Sequence, residues 1–197
     1  METSPPDVRT EGLPRVFWIY LAGGALVAVG FADFPLIAFH FNKAGTVSSS
    51  LIPIFYAVGM GVSGLGSLLF GRLFDRVGIG VLIPLTIASA LFAPLVFLGG
   101  FWPALVGMSL WGVGMGVHES IVPAAVAPMV PVQRRASAYG LFTAAYGVSW
   151  FLGSVPIGFL YQFVSAGAAV AFCIAAELAA IPFFLRVRQR IRAGEIV

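Results

Sequence analysis

Long uncharged stretches, separated by short charged or Gly/Pro-containing segments, dominate the pattern of the chain. Residues 44–71, 77–117 and 136–176 contain no Asp, Glu, Lys or Arg. A helix needs about 20 apolar residues to cross a hydrocarbon core of about 30 Å. The apolar runs are continuous. In the strands of a membrane β-barrel, by contrast, apolar residues alternate with polar ones. The pattern therefore predicts membrane-spanning helices, with room for two in each of the two longer stretches.

Charges and Gly/Pro breaks divide these stretches into six predicted spans. The spans lie near residues 15–40, 47–71, 79–98, 103–129, 136–163 and 168–187. We predict an all-α membrane domain over residues 15–190. A disordered cytoplasmic segment, 1–14, precedes it, and a cytoplasmic tail, 191–197, follows it.

Composition excludes a water-soluble domain. Charged residues make up 10% of the 197-residue chain and hydrophobic residues 59%, whereas soluble domains are about 25% charged. The single cysteine, Cys173, excludes an internal disulfide and is interpreted as a buried, inert thiol.

The basic residues predict the orientation in the membrane. With the N-terminus inside, ten of the eleven Lys and Arg residues fall on one side of the six spans, and only Lys43 falls on the other. Cytoplasmic loops carry such an excess. We expect a multi-pass protein of the plasma (inner) membrane with both termini in the cytoplasm.

A charged motif, GRLFDRVG, occupies residues 71–78 and is predicted to be a short cytoplasmic loop between the second and third spans. It resembles the signature loop of the major facilitator superfamily (MFS), G-x-L-x-D-R-x-G followed by basic residues. The matching residues are Gly71, Leu73, Asp75, Arg76 and Gly78, whereas Gly80 and Val81 replace the basic pair. Residues 134–161 resemble the fifth helix of an MFS half, entered through Arg134 and Arg135.

This resemblance implies the C-terminal six-helix half of an MFS transporter, built from two inverted three-helix repeats. It further implies that Asp75 closes the cytoplasmic side by contacting the N-terminus of the fifth span, beside Arg134 and Arg135. Free N–H groups there carry partial positive charge. The alternative is an ordinary turn whose arginines only follow the positive-inside rule.

Five ionisable side chains lie within or at the edge of the predicted spans and are functional candidates. They are Asp33, His40, His118, Glu119 and Glu177. The resemblance implies that the first and fourth helices line the central cavity, so Asp33, His118 and Glu119 form the predicted proton or substrate pathway. Glu119 is the first candidate for a proton- or cation-binding carboxylate, with a structural hydrogen bond as its alternative role. For Glu177 we expect a hydrogen bond between helices, and for His40 a contact with lipid head groups.

The sequence as a whole predicts a secondary transporter of a small solute, working by alternating access with proton coupling. Because no Lys or Arg lies at mid-span, neutral, zwitterionic or cationic solutes fit better than anions. A lone half cannot enclose the usual cavity, so we expect a homodimer or a complementary six-helix half as partner. No metal is expected, since His118-Glu119 lacks a second His four residues on. No enzymatic activity is expected either, since no arrangement of a nucleophile and a base is visible, and neither a cofactor nor a nucleic acid is expected. A membrane scaffold or regulator derived from a transporter, and an intramembrane enzyme, remain the alternatives.

Overall fold

The computed structural model describes residues 12–194, and every regular element in that range is helical. The α-helices are α1 (Arg15–Gly30), α2 (Phe34–Ala44), α3 (Ile52–Val77), α4 (Leu82–Ala90), α5 (Phe92–Phe97), α6 (Phe101–Gly116), α7 (Val122–Ala124), α8 (Arg135–Phe163), α9 (Ala166–Ala179) and α10 (Ile181–Arg192). A π-helical turn, Val117–Ile121, connects α6 to α7, and short 3₁₀ turns join several of the other helices.

Consecutive helices combine into five stretches that are long and apolar enough to cross a membrane. They are Arg15–Ala44, Ile52–Phe97, Phe101–Met129, Val132–Phe163 and Ala166–Arg192. The predicted all-α architecture is confirmed for residues 12–194, and the five stretches fit an integral membrane protein by length and composition. The count differs from the six predicted spans because Ile52–Phe97, at 46 residues, contains no non-helical loop.

The stretch Ile52–Phe97 nevertheless reverses its direction. Near its start, the rings of Phe55 and Phe41 lie 5.5 Å apart, and at its end the ring of Phe97 lies 5.1 Å from His40. Both ends therefore contact α2. Midway, a Cβ atom at Gly80 would lie 3.1 Å from Nε of Arg188, at the far end of the last stretch.

The reversal point corrects the predicted loop at residues 71–78. Residues 71–77 form the last two turns of α3, and only Gly78 leaves the helix, with φ 69° and ψ −155°. Nothing in GRLFDRV interrupts a helix, whereas this backbone conformation is essentially restricted to glycine. The motif is thus a helix end followed by a glycine turn, and its charged residues lie on the helix.

The interior consists of two apolar clusters. One surrounds Tyr20, Phe142 and Phe184, and the other surrounds Phe31 and Phe92. Helices α3 and α6 run side by side, with their backbones in contact where Gly59 meets Gly112, so that a Cβ atom at Gly112 would overlap the carbonyl of Gly59. Small residues allow such close approach between membrane helices.

The predicted terminal segments are described only in part. Residues 1–11 and 195–197 lie outside the described range, so the disorder predicted for residues 1–11 stays a prediction. Leu13 is buried in the cluster around Tyr20, so the predicted disorder does not extend to it. Helix α10 continues to Arg192, two residues into the predicted tail.

Candidate membrane-embedded polar site

The first stretch is interrupted halfway along its length. Helix α1 ends at Gly30, and the backbone is extended at Phe31 and Asp33 before α2 begins. Pro35, the second residue of α2, explains part of this break, because proline has no N–H to donate to the Phe31 carbonyl and its ring would clash with that carbonyl in a continuous helix. Asp33 stands at the N-terminus of α2, but its carboxylate does not cap that helix. Instead, Oγ of Ser154 on α8 donates a hydrogen bond to Asp33 Oδ2 at 2.8 Å.

The third stretch is also interrupted halfway, by the π-helical turn Val117–Ile121. Pro123 follows the turn and has no N–H to donate to the carbonyl of Glu119, four residues earlier, which disfavours a regular α-helix there. Insertions of this kind often occur at functional sites. The turn directs its two ionisable side chains differently, since His118 is buried and Glu119 is exposed.

The two interruptions are in direct contact. The rings of Phe31, in the first break, and His118, in the π-helical turn, lie 4.3 Å apart. Trp111 stacks on Phe31 and donates its Nε1–H to the carbonyl of Ala32 at 3.1 Å. A backbone carbonyl freed by the helix break thus has a partner, as the interior of a membrane protein requires.

An open pocket lies on the α8 side of the first break. It is lined by Asp33, Gly147, Trp150, Phe151 and Ser154. The ring of Trp150 also lies 5.8 Å from His118, on the buried side. The indole ring of Trp150 therefore borders both the pocket of Asp33 and the ring of His118. Glu119 does not line this pocket.

Asp75 and Arg76, near the end of α3, are both exposed. Within residues 12–194, Asp75 makes no hydrogen bond or ion pair, and Arg72 donates to the carbonyl of Leu68 at 3.4 Å. Helix α3 packs along α6, whereas α8 packs along α1 and α9. The predicted contact between Asp75 and the N-terminus of α8 is consequently not made within this chain in this conformation.

The predicted basic pair, Arg134 and Arg135, lies at the start of α8. Arg134 ends a 3₁₀ turn and Arg135 begins α8. A Cβ atom at Gly12 would lie 2.6 Å from Nη1 of Arg134, so this guanidinium packs beside the start of the described chain. Arg135 is exposed.

Several buried polar atoms make no hydrogen bond to any group of residues 12–194, and sequence analysis missed most of them. They are Ser89 Oγ, His118 Nδ1, Tyr146 OH, Trp150 Nε1 and both carboxylate oxygens of Glu177. The prediction of a hydrogen bond between helices for Glu177 is wrong, because neither of its carboxylate oxygens has a partner within residues 12–194. The mid-depth position of Glu177 was visible in the sequence. Its lack of a hydrogen-bond partner depends on how α1, α4 and α8 pack against α9. His40, expected at the lipid head groups, is buried and bonded through Nδ1 to Tyr161 OH at 2.8 Å.

No group of three or more His, Cys, Asp or Glu side chains within residues 12–194 could hold a metal ion.

Comparison with known proteins shows similarity to longer chains. The chain is 35% identical over 185 residues to uncharacterised proteins of Mycobacterium tuberculosis and Mycobacterium bovis. These matches cover 94% of this chain and 45% of each relative, so the chain spans about half the length of the curated relatives it matches. An uncharacterised MFS-type transporter of Methanocaldococcus jannaschii is 29% identical over 92 residues, which cover 46% of this chain and 24% of that protein. No protein-family model and no solved structure matches the chain.

Proposed function

We propose that the protein is a secondary transporter of a small solute that works by alternating access and couples transport to protons. The contact between the two helix interruptions, Phe31 against His118, carries this proposal. Transporters built from inverted repeats bind substrate and coupling ions near mid-membrane, where corresponding helices of the two repeats are discontinuous. The partial similarity to an MFS-type transporter supports the same function.

The proposal treats Ile52–Phe97 as two crossings that meet at Gly78, which gives six spans. The first and fourth spans, Arg15–Ala44 and Phe101–Met129, then begin the two three-helix repeats. Each is interrupted 16 residues beyond its first residue, at Phe31 and at Val117, which is about 24 Å along a helix. The chain would be a multi-pass protein of the plasma membrane with both termini in the cytoplasm.

A second six-helix unit, either another copy or a complementary half, would complete the transport cavity. Helix α8 supports this inference, because 22% of an 18-residue apolar segment of its stretch is buried, against 50% of the corresponding segment in the first stretch. Gly140 and Gly147 on α8 have no neighbouring atom in this chain within 4 Å of a Cβ position. Lipid or a second unit would cover this face.

The charges of the site favour neutral, zwitterionic or cationic solutes. Asp33 lies in the open pocket and Glu119 is exposed in the π-helical turn, while no Lys or Arg lies near the two interruptions in sequence. Asp33 would face the solute, and His118 and Glu119 would belong to the proton pathway. An intramembrane carboxylate without a nearby cation is suited to binding a proton or a cationic group.

Solute counterflow in proteoliposomes tests the proposed function. The purified chain is reconstituted and supplied with labelled sugars, zwitterionic amino acids or quaternary amines. We expect uptake of at least one pool, reduced at least about tenfold by Asp33→Asn, which corresponds to about 1.4 kcal/mol. Ser149→Ala is the matched control, because that hydroxyl bonds only the Ala145 carbonyl of its own helix.

Uptake of none of the pools, or equal uptake by Asp33→Asn and the wild type, would contradict this function. The non-transporting scaffold would then be the better interpretation of the chain.

A further inference from the structure

Glu177 occupies the interior of the bundle, although the family resemblance does not place its helix among those that line the cavity. Its side chain has no exposed surface, and neither carboxylate oxygen accepts a hydrogen bond from protein groups. Helix α9 holds it against α1 without spare room, since a Cβ atom at Gly30 would lie 2.9 Å from the backbone nitrogen of Glu177. A membrane-facing or solvated position is therefore excluded for this carboxyl group.

No cation approaches this carboxyl group from any helix packed on α9. These helices are α1, α4, α5, α8 and α10. Helices α4 and α5 carry no charged residue, while α1 and α8 carry one each, in the first turn. Helix α10 begins its arginines at Arg186, nine positions beyond Glu177, which is about 14 Å along the axis.

Two hydroxyl groups within electrostatic range of Glu177 make no hydrogen bond within residues 12–194. Ser89 of α4 is close enough to interact with the carboxyl group but lies outside hydrogen-bond geometry. Tyr146 of α8 lies within electrostatic range of it, and its OH is also without a partner. The only titratable neighbour on α9 itself is the buried thiol of Cys173, one turn earlier.

These hydroxyls connect Glu177 with the candidate polar site. The ring of Tyr146 lies 5.8 Å from that of His118, whose Nδ1 is unpartnered, and 6.1 Å from that of Trp150. Trp150 in turn lines the open pocket of Asp33. Polar groups thus lead from the closed interior at Glu177 to the open side of the bundle.

We propose that Glu177 is a proton-binding site, occupied by a proton in this conformation. An ionised carboxylate without a donor or a cation is strongly disfavoured in an apolar interior, so the neutral acid is the form that fits here. On release, the proton leaves the carboxyl oxygen for water on the open side, by way of Tyr146 and His118. The carboxylate that remains accepts hydrogen bonds from Ser89 and Tyr146, after a small shift of α4 or α8 against α9.

The part of this inference that concerns coupling rests on the proposed transport function, whereas the occupancy of Glu177 by a proton does not. The two are therefore tested by separate measurements.

Infrared spectroscopy of the purified chain in lipid tests the occupancy. At pH 7, we expect the carbonyl stretch of a protonated carboxylic acid, which is absent in Glu177→Gln and retained in Glu119→Gln. Glutamine replaces the neutral acid with a group of similar shape, so this variant should fold. Absence of the band from the wild type, or its persistence in Glu177→Gln, would overturn the inference.

The two hydroxyls provide a second readout, which a merely structural role would not change. Raising the pH should remove the band, and Ser89→Ala or Tyr146→Phe should shift the midpoint of this loss upward by about one pH unit, since each removes a donor to the ionised form. Unchanged midpoints in both variants would overturn the assigned roles of the hydroxyls.

For any solute found by counterflow, Glu177→Gln should retain exchange but lose at least tenfold in accumulation driven by a pH gradient. Retained proton-driven accumulation would overturn the coupling role. If the wild type transports no solute, the proposed function fails, and the infrared result alone decides the inference.

Discussion

The ionisable side chains within the helical stretches differ in the partners that the fold gives them. Asp33 accepts a hydrogen bond from Ser154, and His40 shares one with Tyr161. His118 Nδ1 and the carboxyl oxygens of Glu177 have no protein partner. A side chain with a hydrogen-bond partner is held in one arrangement. A buried polar side chain without one is stabilised when a movement of the helices brings a donor or acceptor to it. Asp33 and His40, which have hydrogen-bond partners, are therefore suited to holding a fixed position, whereas His118 and Glu177 are suited to exchanging a proton.

The bond between Ser154 and Asp33 leads to a prediction at this scale. Ser154→Ala should destabilise the protein by about 1 kcal/mol, because a half-buried carboxylate loses a donor. In a chain of this size, that loss lowers the melting temperature by about 2–4 °C. Thermal unfolding in one detergent would measure it, with Ser149→Ala as control, since both serines also bond the carbonyl four residues earlier.

A double-mutant cycle with Asp33→Asn separates this bond from other effects of the serine. The cost of Ser154→Ala should shrink in the Asp33→Asn background, because the partner is no longer a carboxylate. An equal cost in both backgrounds would contradict the role assigned to the bond.

Position within the spans, together with the family resemblance, was enough to select Asp33, His118 and Glu119 as candidates from sequence. Their partners were not predictable, because Ser154 and Trp150 lie more than 30 residues away in sequence from each of these candidates. The expected hydrogen bond of Glu177 failed for the same reason. An interior carboxyl group is usually satisfied, and only the packing of α4, α8 and α9 shows that this one is not.

At the scale of elements, the interruptions within helices decide what the bundle can do. The break before α2 has a sequence signal in Pro35, and the π-helical turn has one in Pro123, but neither proline specifies the geometry that results. Residues 71–78 show the opposite case, where a charged motif indicated a loop and the chain continued as helix to Val77. Charge marks the end of a membrane span, whereas the end of the helix depends on backbone conformation.

The two glycines that frame the motif should therefore respond differently to substitution. Gly78→Ala should destabilise the protein by about 1–3 kcal/mol, because alanine is strained at φ 69° and ψ −155°. Gly71→Ala should be neutral or slightly stabilising, since Gly71 lies within α3 with nothing within 4 Å of its Cβ position. Melting temperatures of the two variants in the same detergent would test this. Equal losses would show that the turn does not depend on the conformation of Gly78.

At the scale of the whole molecule, the helices divide into a packed interior and faces that nothing in this chain covers. Helix α3 contacts α6 through Gly59, whereas Gly61 and Gly64 have no neighbour within 4 Å of their Cβ positions. On α8, Gly140 and Gly147 are equally open. Asp75, near the end of α3, is exposed and makes no hydrogen bond or ion pair within the described residues.

The proposed assembly would cover these open faces and enclose a cavity. Native mass spectrometry of the chain extracted into nanodiscs should give a species of at least twice the 20.8 kDa of one chain. A homodimer gives that mass, and a complementary half gives the mass of the chain plus its partner.

Gly147→Leu should reduce the assembled fraction, because a bulky side chain prevents close approach of a second helix. Gly100→Leu is the control, since Gly100 also has an open Cβ position but precedes α6, outside the membrane-crossing stretches. A folded wild-type monomer would contradict the proposed assembly and, with it, transport by this chain alone, because a single chain leaves the pocket of Asp33 open.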